Sequence, residues 1–255
     1  MAMERRACRN KRSHCKFKSW RQGGLQSKIV NTNMFCIPII ARNTEEAIKK
    51  IDKADTMADM LEIRLDMMNT FDLHQIIQAS LKPVLVTYRS KKEGGKGNSD
   101  PETHADYIFT AIQEGANLVD VELSLPLKWR KKIFDARGKS DIIISRHISE
   151  GTPSRDELGK IFSECAAAKA DIVKIVTRAQ AWEDNLRVLE LIPRAHDRGI
   201  KIIAFCMGPM GRISRIFSHL MGGYLTFVSL EDGQESAEGQ IPVIEMKKII
   251  RHFLP

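Results

Sequence analysis

The chain of 255 residues is poor in the features that most readily assign a protein to a class. Its five cysteines (Cys8, Cys15, Cys36, Cys165 and Cys206) are odd in number, widely spaced and free of any C-x-x-C pair. That excludes a disulfide framework and a cysteine-built zinc site, and it suits a reducing compartment. No apolar run comes near the ~18 residues of a membrane span. The N-terminal region lacks the apolar core, about 7–15 residues long, of a secretory signal. No G-x-G-x-x-G follows the first apolar run, which argues against a dinucleotide-binding sheet. A soluble, cytoplasmic protein with no membrane partner is expected.

Charge of one sign is also missing from most of the chain. The net charge of +8 suggests a polyanionic partner, but residues 1–33 carry nine of the 40 Lys/Arg and only one of the 32 acids. The whole excess therefore sits in that leader, and the remainder is formally balanced. With 43% hydrophobic and 28% charged residues, the composition is that of an ordinary globular protein. Residues 1–33 read as a short, basic, poorly ordered extension, and 34–255 as one catalytic domain. Nucleic-acid binding through the leader, with Phe17 and Trp20 available for stacking, is the competing reading from a different functional class. The leader is Arg-rich and acid-poor like a transit peptide, but it has no clear amphipathic helix.

What the body does contain is a regular alternation. Short apolar, β-branched runs begin at Met34, Leu61, Val84, Leu118, Ile142, Ile172, Ile202 and Tyr224, separated as strand–helix–strand units require. Asn43 followed by Glu45 and Glu46 opens one intervening helix, and Ser154 with Glu157 forms a capping-box pattern at another. Gly199 after His196 closes a third. Most runs are apolar on both faces, as parallel strands covered on both sides must be. Eight such units predict a single (β/α)₈ TIM barrel in preference to an open doubly wound sheet.

In such a barrel chemistry collects where strands end, so polar residues that interrupt the runs stand out. Lys174 lies within Ile172-Val173-Lys174-Ile175-Val176. A buried ammonium must pair or lose its proton. It is either an ion-pair partner of Glu62 or Glu122 across the barrel or an amine able to attack a carbonyl. His147 is the one histidine that directly follows a strand, a unit before Lys174, which points to a general acid/base beside that amine. The segment Met207–Arg215, with two glycines and two arginines, offers an anion site. Arg89 through Gly95 supplies Glu93, a carboxylate able to orient His147. Asp120 and Glu122 read as structural charge partners, with no histidine beside them to suggest a metal.

Taken in order, Glu62-Ile63-Arg64-Leu65-Asp66, Arg89…Glu93-Gly94-Gly95, Asp120-Val121-Glu122, Ser145-Arg146-His147, Val173-Lys174, Met207-Gly208…Ser214-Arg215 and Ser236-Ala237-Glu238-Gly239-Gln240 resemble type I 3-dehydroquinate dehydratase from about Met34 onward. The resemblance implies a barrel, a homodimer and the third step of the shikimate pathway, with no metal and no organic cofactor. It implies that Lys174 forms a Schiff base with 3-dehydroquinate and that His147, oriented by Glu93, is the general acid/base. It further implies that Arg215 clamps the substrate carboxylate, that Ser236 and Gln240 lie on a closing loop, and that Glu62, Arg64 and Arg89 hold the ring hydroxyls and the imine surroundings. Two departures accompany it. Glu238 stands where the family often has Pro, which is expected to alter loop closure. Residues 1–33 do not resemble the family's N-terminal hairpin. The nearest enzymatic alternative is a Schiff-base aldolase of the same architecture, with a sugar phosphate held by the Met207–Arg215 segment.

Overall fold

The computed structural model describes residues 34–253 except Ser99. The basic extension expected at 1–33 lies outside them. Eight parallel strands follow one another around a barrel: β1 (Met34–Ile39), β2 (Met60–Arg64), β3 (Val84–Thr87), β4 (Leu118–Glu122), β5 (Asp141–Ile148), β6 (Ile172–Arg178), β7 (Lys201–Met207) and β8 (Leu225–Phe227). Neighbours in sequence pair in register from β1 to β7, and β8 returns to β1. Across the remaining seam the Tyr224 N–H donates to the Ile202 carbonyl at 2.7 Å.

The helices are α1 (Thr44–Ala54), α2 (Leu73–Gln78), α3 (Pro101–Gln113), α4 (Leu127–Ala136), α5 (Arg155–Ala167), α6 (Trp182–Leu189), α7 (Leu191–Asp197), α8 (Arg212–Leu220) and α9 (Val243–Arg251). The expected caps are present. Asn43 Oδ1 accepts from Glu46 N at 2.9 Å, and Ser154 and Glu157 bond each other reciprocally at the start of α5. Gly199, with φ of +65°, lets the chain leave α7 for β7.

Strand parity divides the core in two. Residues such as Ile37, Leu61, Ile63, Val119, Val121, Ile144, Val173 and Ile175 face outward and pack under the helices. Each such side chain contributes about 1.5–3 kcal/mol by leaving water. The alternate residues face the lumen. Its lower part is apolar: Cys36, Met60, Leu85, Leu118, Ile143, Ile172, Ile203 and Leu225 fill it. Two residues further along the same strands the lumen changes character. β2, β4, β6 and β8 then contribute Glu62, Asp120, Lys174 and Phe227, one layer drawn from alternate strands as barrel geometry requires.

Candidate active site

The functional side chains grow from this upper lumen. Lys174, on β6, is 3% exposed. Its Nζ lies 2.9 Å from Asp120 Oδ2, 3.9 Å from Glu62 Oε1 and 4.4 Å from the Phe227 ring centre. Of the two expected ion-pair partners, Glu62 is present at the longer distance, and Asp120 takes the place of Glu122 as the nearer acid. Glu122, one layer higher, instead accepts from Arg89 Nη1 at 3.1 Å and from the Ser90 N–H and hydroxyl at 2.8 and 2.7 Å. Glu62 accepts from the Thr87 hydroxyl at 2.7 Å.

Arg89 joins the acids into one network. Its Nη2 is 2.7 Å from Asp120 Oδ1, and its Nη1 donates to Ser145 Oγ at 2.9 Å and lies 3.6 Å from Glu93 Oε2. Burial opposes the charge on Asp120, but the cations of Arg89 and Lys174 outweigh it and hold that carboxyl far below the usual range. Burial likewise opposes the Arg89 charge, and Asp120, Glu122 and Glu93 more than restore it.

His147 stands at the end of β5, on the face it shares with Ser145, which pairs in register with Lys174. Glu93 Oε2 accepts from the His147 backbone N–H at 2.9 Å and lies 3.2 Å from its Nδ1. The acceptor fixes the proton on Nδ1 and leaves Nε2 free as a base. Burial, and then the Arg89 and Lys174 cations, push the imidazole well below its ordinary pKa, so it is neutral near pH 7.

Opposite these groups is Arg215, on the first turn of α8 and fully buried. Its guanidinium covers the Phe205 ring at 4.4 Å, and its Nη2 donates to the Glu238 carbonyl at 3.1 Å. Its Nε and Nη1 are buried with no hydrogen-bond partner among the described residues. With no carboxylate beside it among the described residues, burial lowers its pKa to about 9. The loop from Leu230 to Gln240 closes the mouth. Ser236 and Gln240 bond each other there at 2.8 and 2.9 Å. Glu238 is held by Arg178 at 2.9 Å, and its carbonyl accepts from Gly208 N at 3.2 Å. Gly239 at φ of +82° passes the Gly208 carbonyl so closely that a Cβ would meet it at 2.4 Å.

Together these residues enclose a cavity of about 240 Å³. A sequence profile of the family described as Type I 3-dehydroquinase matches residues 35–253, nearly the whole described body. The chain belongs to that family. A 3-dehydroquinate dehydratase of Methanococcus maripaludis is 36% identical over 85% of this chain and 98% of its own length. The chloroplastic bifunctional 3-dehydroquinate dehydratase/shikimate dehydrogenase of Arabidopsis thaliana is 35% identical over 85% of this chain. The match spans only 36% of that longer protein. A crystal structure of the type I 3-dehydroquinate dehydratase of Clostridium difficile with covalently modified comenic acid superposes with a TM-score of 0.78. It is 25% identical and covers 86% of this chain and 92% of that one.

Within this type I dehydroquinase fold, His147, Lys174, Glu93, Glu62, Arg64, Arg89, Arg215, Ser236 and Gln240 all line the one cavity. Arg64 reaches it while bonded to Asp66 through two contacts of 2.9 Å. Sequence reading missed Phe205, Phe227 and Arg178 in the wall. The first two hide in apolar runs, where only lumen parity separates them from the core. It also missed the direct hold of Asp120 on Lys174. The spacing of one layer on alternate strands was the available signal. No helix among the described residues is long and apolar enough to cross a membrane.

Proposed function

We propose that the protein converts 3-dehydroquinate to 3-dehydroshikimate through a Schiff base on Lys174. The observation that carries this reading is the convergence, in one cavity, of a buried amine, a neutral imidazole and a buried guanidinium with two unused N–H groups. Those three match an acid-bearing ketone that must be activated, deprotonated and held.

Lys174 first gives a proton to the neutral imidazole of His147, and Asp120 keeps the freed amine aimed into the cavity. The nitrogen pair attacks the C3 carbonyl carbon. The proton on His147 assists departure of the carbinolamine oxygen as water, leaving a protonated imine. That cation draws electrons from the adjacent C–H bond, so a neutral imidazole is a sufficient base for the C2 proton. The C2 electron pair flows toward the imine and then expels the C1 hydroxyl, which takes the proton from His147 and leaves as water. Hydrolysis of the imine consumes one water and returns Lys174, so the net loss is one water. Glu93 steadies the imidazolium in both protonated states. Arg215 takes the substrate carboxylate on its Nε and Nη1, which removes the penalty of burying them unpaired. Ser236 and Gln240 close over the ring, and Glu62, Arg64 and Arg89 face its hydroxyls.

We further propose that this is the third step of the shikimate pathway, carried out in the cytoplasm by a homodimer with no organic cofactor. The aldolase alternative needs a phosphate cradle in the Met207–Arg215 segment. There, the Gly208 and Gly211 N–H groups are already donated to Glu238 O and Gly208 O at 3.2 and 3.0 Å. Following ultraviolet absorbance on mixing with 3-dehydroquinate tests the reading. A rise from the conjugated enone is expected, and no rise at any protein concentration would overturn it.

A further inference from the structure

The loop over the cavity mouth is tied to the barrel at one residue. Its two ends are pinned side by side, where the Ser229 N–H donates to the Ile241 carbonyl at 3.1 Å and the Val243 N–H to the Ser229 carbonyl at 2.9 Å. Between them, residues 230–240 make an excursion held by bonds of its own. Gln234 bonds Glu231, the Gly233 N–H donates to Glu235, and Ser236 bonds Gln240. Among the described residues, every hydrogen bond from this loop to the rest of the chain ends on Glu238. Its carbonyl accepts from Gly208 N and from Arg215 Nη2, and its carboxylate accepts from Arg178 Nη1.

Arg178 is suited to hold that carboxylate. It ends β6, and its carbonyl accepts from the Thr152 hydroxyl at 2.9 Å, which fixes the base of the side chain. The hydrogen bond from Arg178 holds the Glu238 carboxyl below its ordinary range. The two side chains are 36% and 60% exposed, so the pair is a surface ion pair. Such a pair is small against the stability of a whole fold, but it is of the size that separates the closed and open forms of a loop. A proline at this position would stiffen the loop by fixing φ. Glutamate has no such stiffness, and in this chain a cation stands opposite it.

We propose that Arg178 is a positioning residue for the reaction. By holding the Glu238 carboxylate it keeps the loop closed and the Glu238 carbonyl on Arg215 Nη2, so that Nε and Nη1 of Arg215 face the substrate carboxylate. The inference rests on the proposed dehydration for its kinetic readout. Arg178 acts through Glu238 rather than on a reacting atom, so its effect falls on KM and not on kcat. The carboxylate makes the sign diagnostic. Glu238 lines the cavity, so a charge acting there only at a distance would repel an anionic substrate, and its removal would lower KM. A charge acting as the tether does the opposite, and its removal raises KM.

The test is steady-state kinetics and hydrogen exchange on the full chain and on its Arg178→Met, Glu238→Gln and doubly substituted variants. Each single substitution is expected to raise KM for 3-dehydroquinate about threefold, as for the loss of an exposed ion pair, with kcat within about twofold. The double variant is expected to match the singles at about threefold rather than multiply them to about ninefold. Hydrogen exchange of the 230–240 peptide, measured without substrate, should be faster in all three variants. A KM lowered or unchanged by Glu238→Gln, a multiplicative double variant, or unaltered exchange of the loop would overturn the inference. A wild type that does not turn over 3-dehydroquinate would overturn the proposed reaction, and faster loop exchange in the variants would then still support the tether.

Discussion

The lower and upper halves of the barrel lumen are made by the same strands, and they differ by two residues of chain. Met60, Leu118, Ile172 and Leu225 close the lower half as a dry plug. Glu62, Asp120, Lys174 and Phe227 stand directly above them, with the guanidinium of Arg89 tying the acids together. Burying four carboxylates, a lysine and an arginine this closely costs stability unless each charge is paired and hydrogen-bonded. The apolar half and the outward-facing strand residues supply the cohesion that permits it. Stability and chemistry are thus separated along the strand axis, and a substitution at one level should leave the other nearly intact.

The most severe way to break the upper half alone is Lys174→Met. Turnover should fall by more than about 10⁴-fold. Chemical denaturation should show little loss of stability, since Asp120 keeps Arg89 and Ser145 as partners. The reciprocal change is Leu118→Ala, one layer below Asp120. It should cost about 2–5 kcal/mol in a denaturant titration through the cavity it leaves, with kcat per folded molecule unchanged. A smaller effect is expected from Glu93→Gln. Its amide oxygen can still accept from the His147 N–H and Nδ1, which share Glu93 Oε2, but the charge that steadies the imidazolium is lost, so kcat should drop about 10²-fold while KM stays within about twofold. The mildest signature is in the pH profile. Since burial and neighbouring cations lower the His147 pKa, the base form persists as pH falls. The acid limb of kcat/KM should therefore lie below pH ~6.5, the ordinary histidine value.

The same two-level construction explains what the sequence made legible. All eight strands announce themselves as β-branched runs, and caps at Asn43 and Ser154 mark two helix starts, because these are local signals. Lys174 and His147 were conspicuous as polar residues on or just after apolar strands, Arg215 stood in a segment with two glycines and two arginines, and the family resemblance gave Arg215, Ser236 and Gln240 their roles. Glu62 was legible as a partner of Lys174, but the nearer one was not, because it depends on how the barrel staggers its strands. That stagger brings Asp120 of β4, not Glu122, level with β6. Phe205 and Phe227 were invisible for the opposite reason, since an apolar wall and an apolar core use the same residues.

We propose above all that Lys174 in the upper lumen, once it has given up a proton, is the nucleophile. Mass spectrometry of the intact chain after incubation with 3-dehydroquinate and borohydride, followed by peptide mapping, tests it most directly. A single stable adduct on the peptide carrying Lys174, absent from the Lys174→Met variant, is the predicted result. No adduct, or an adduct on any other lysine, would contradict it.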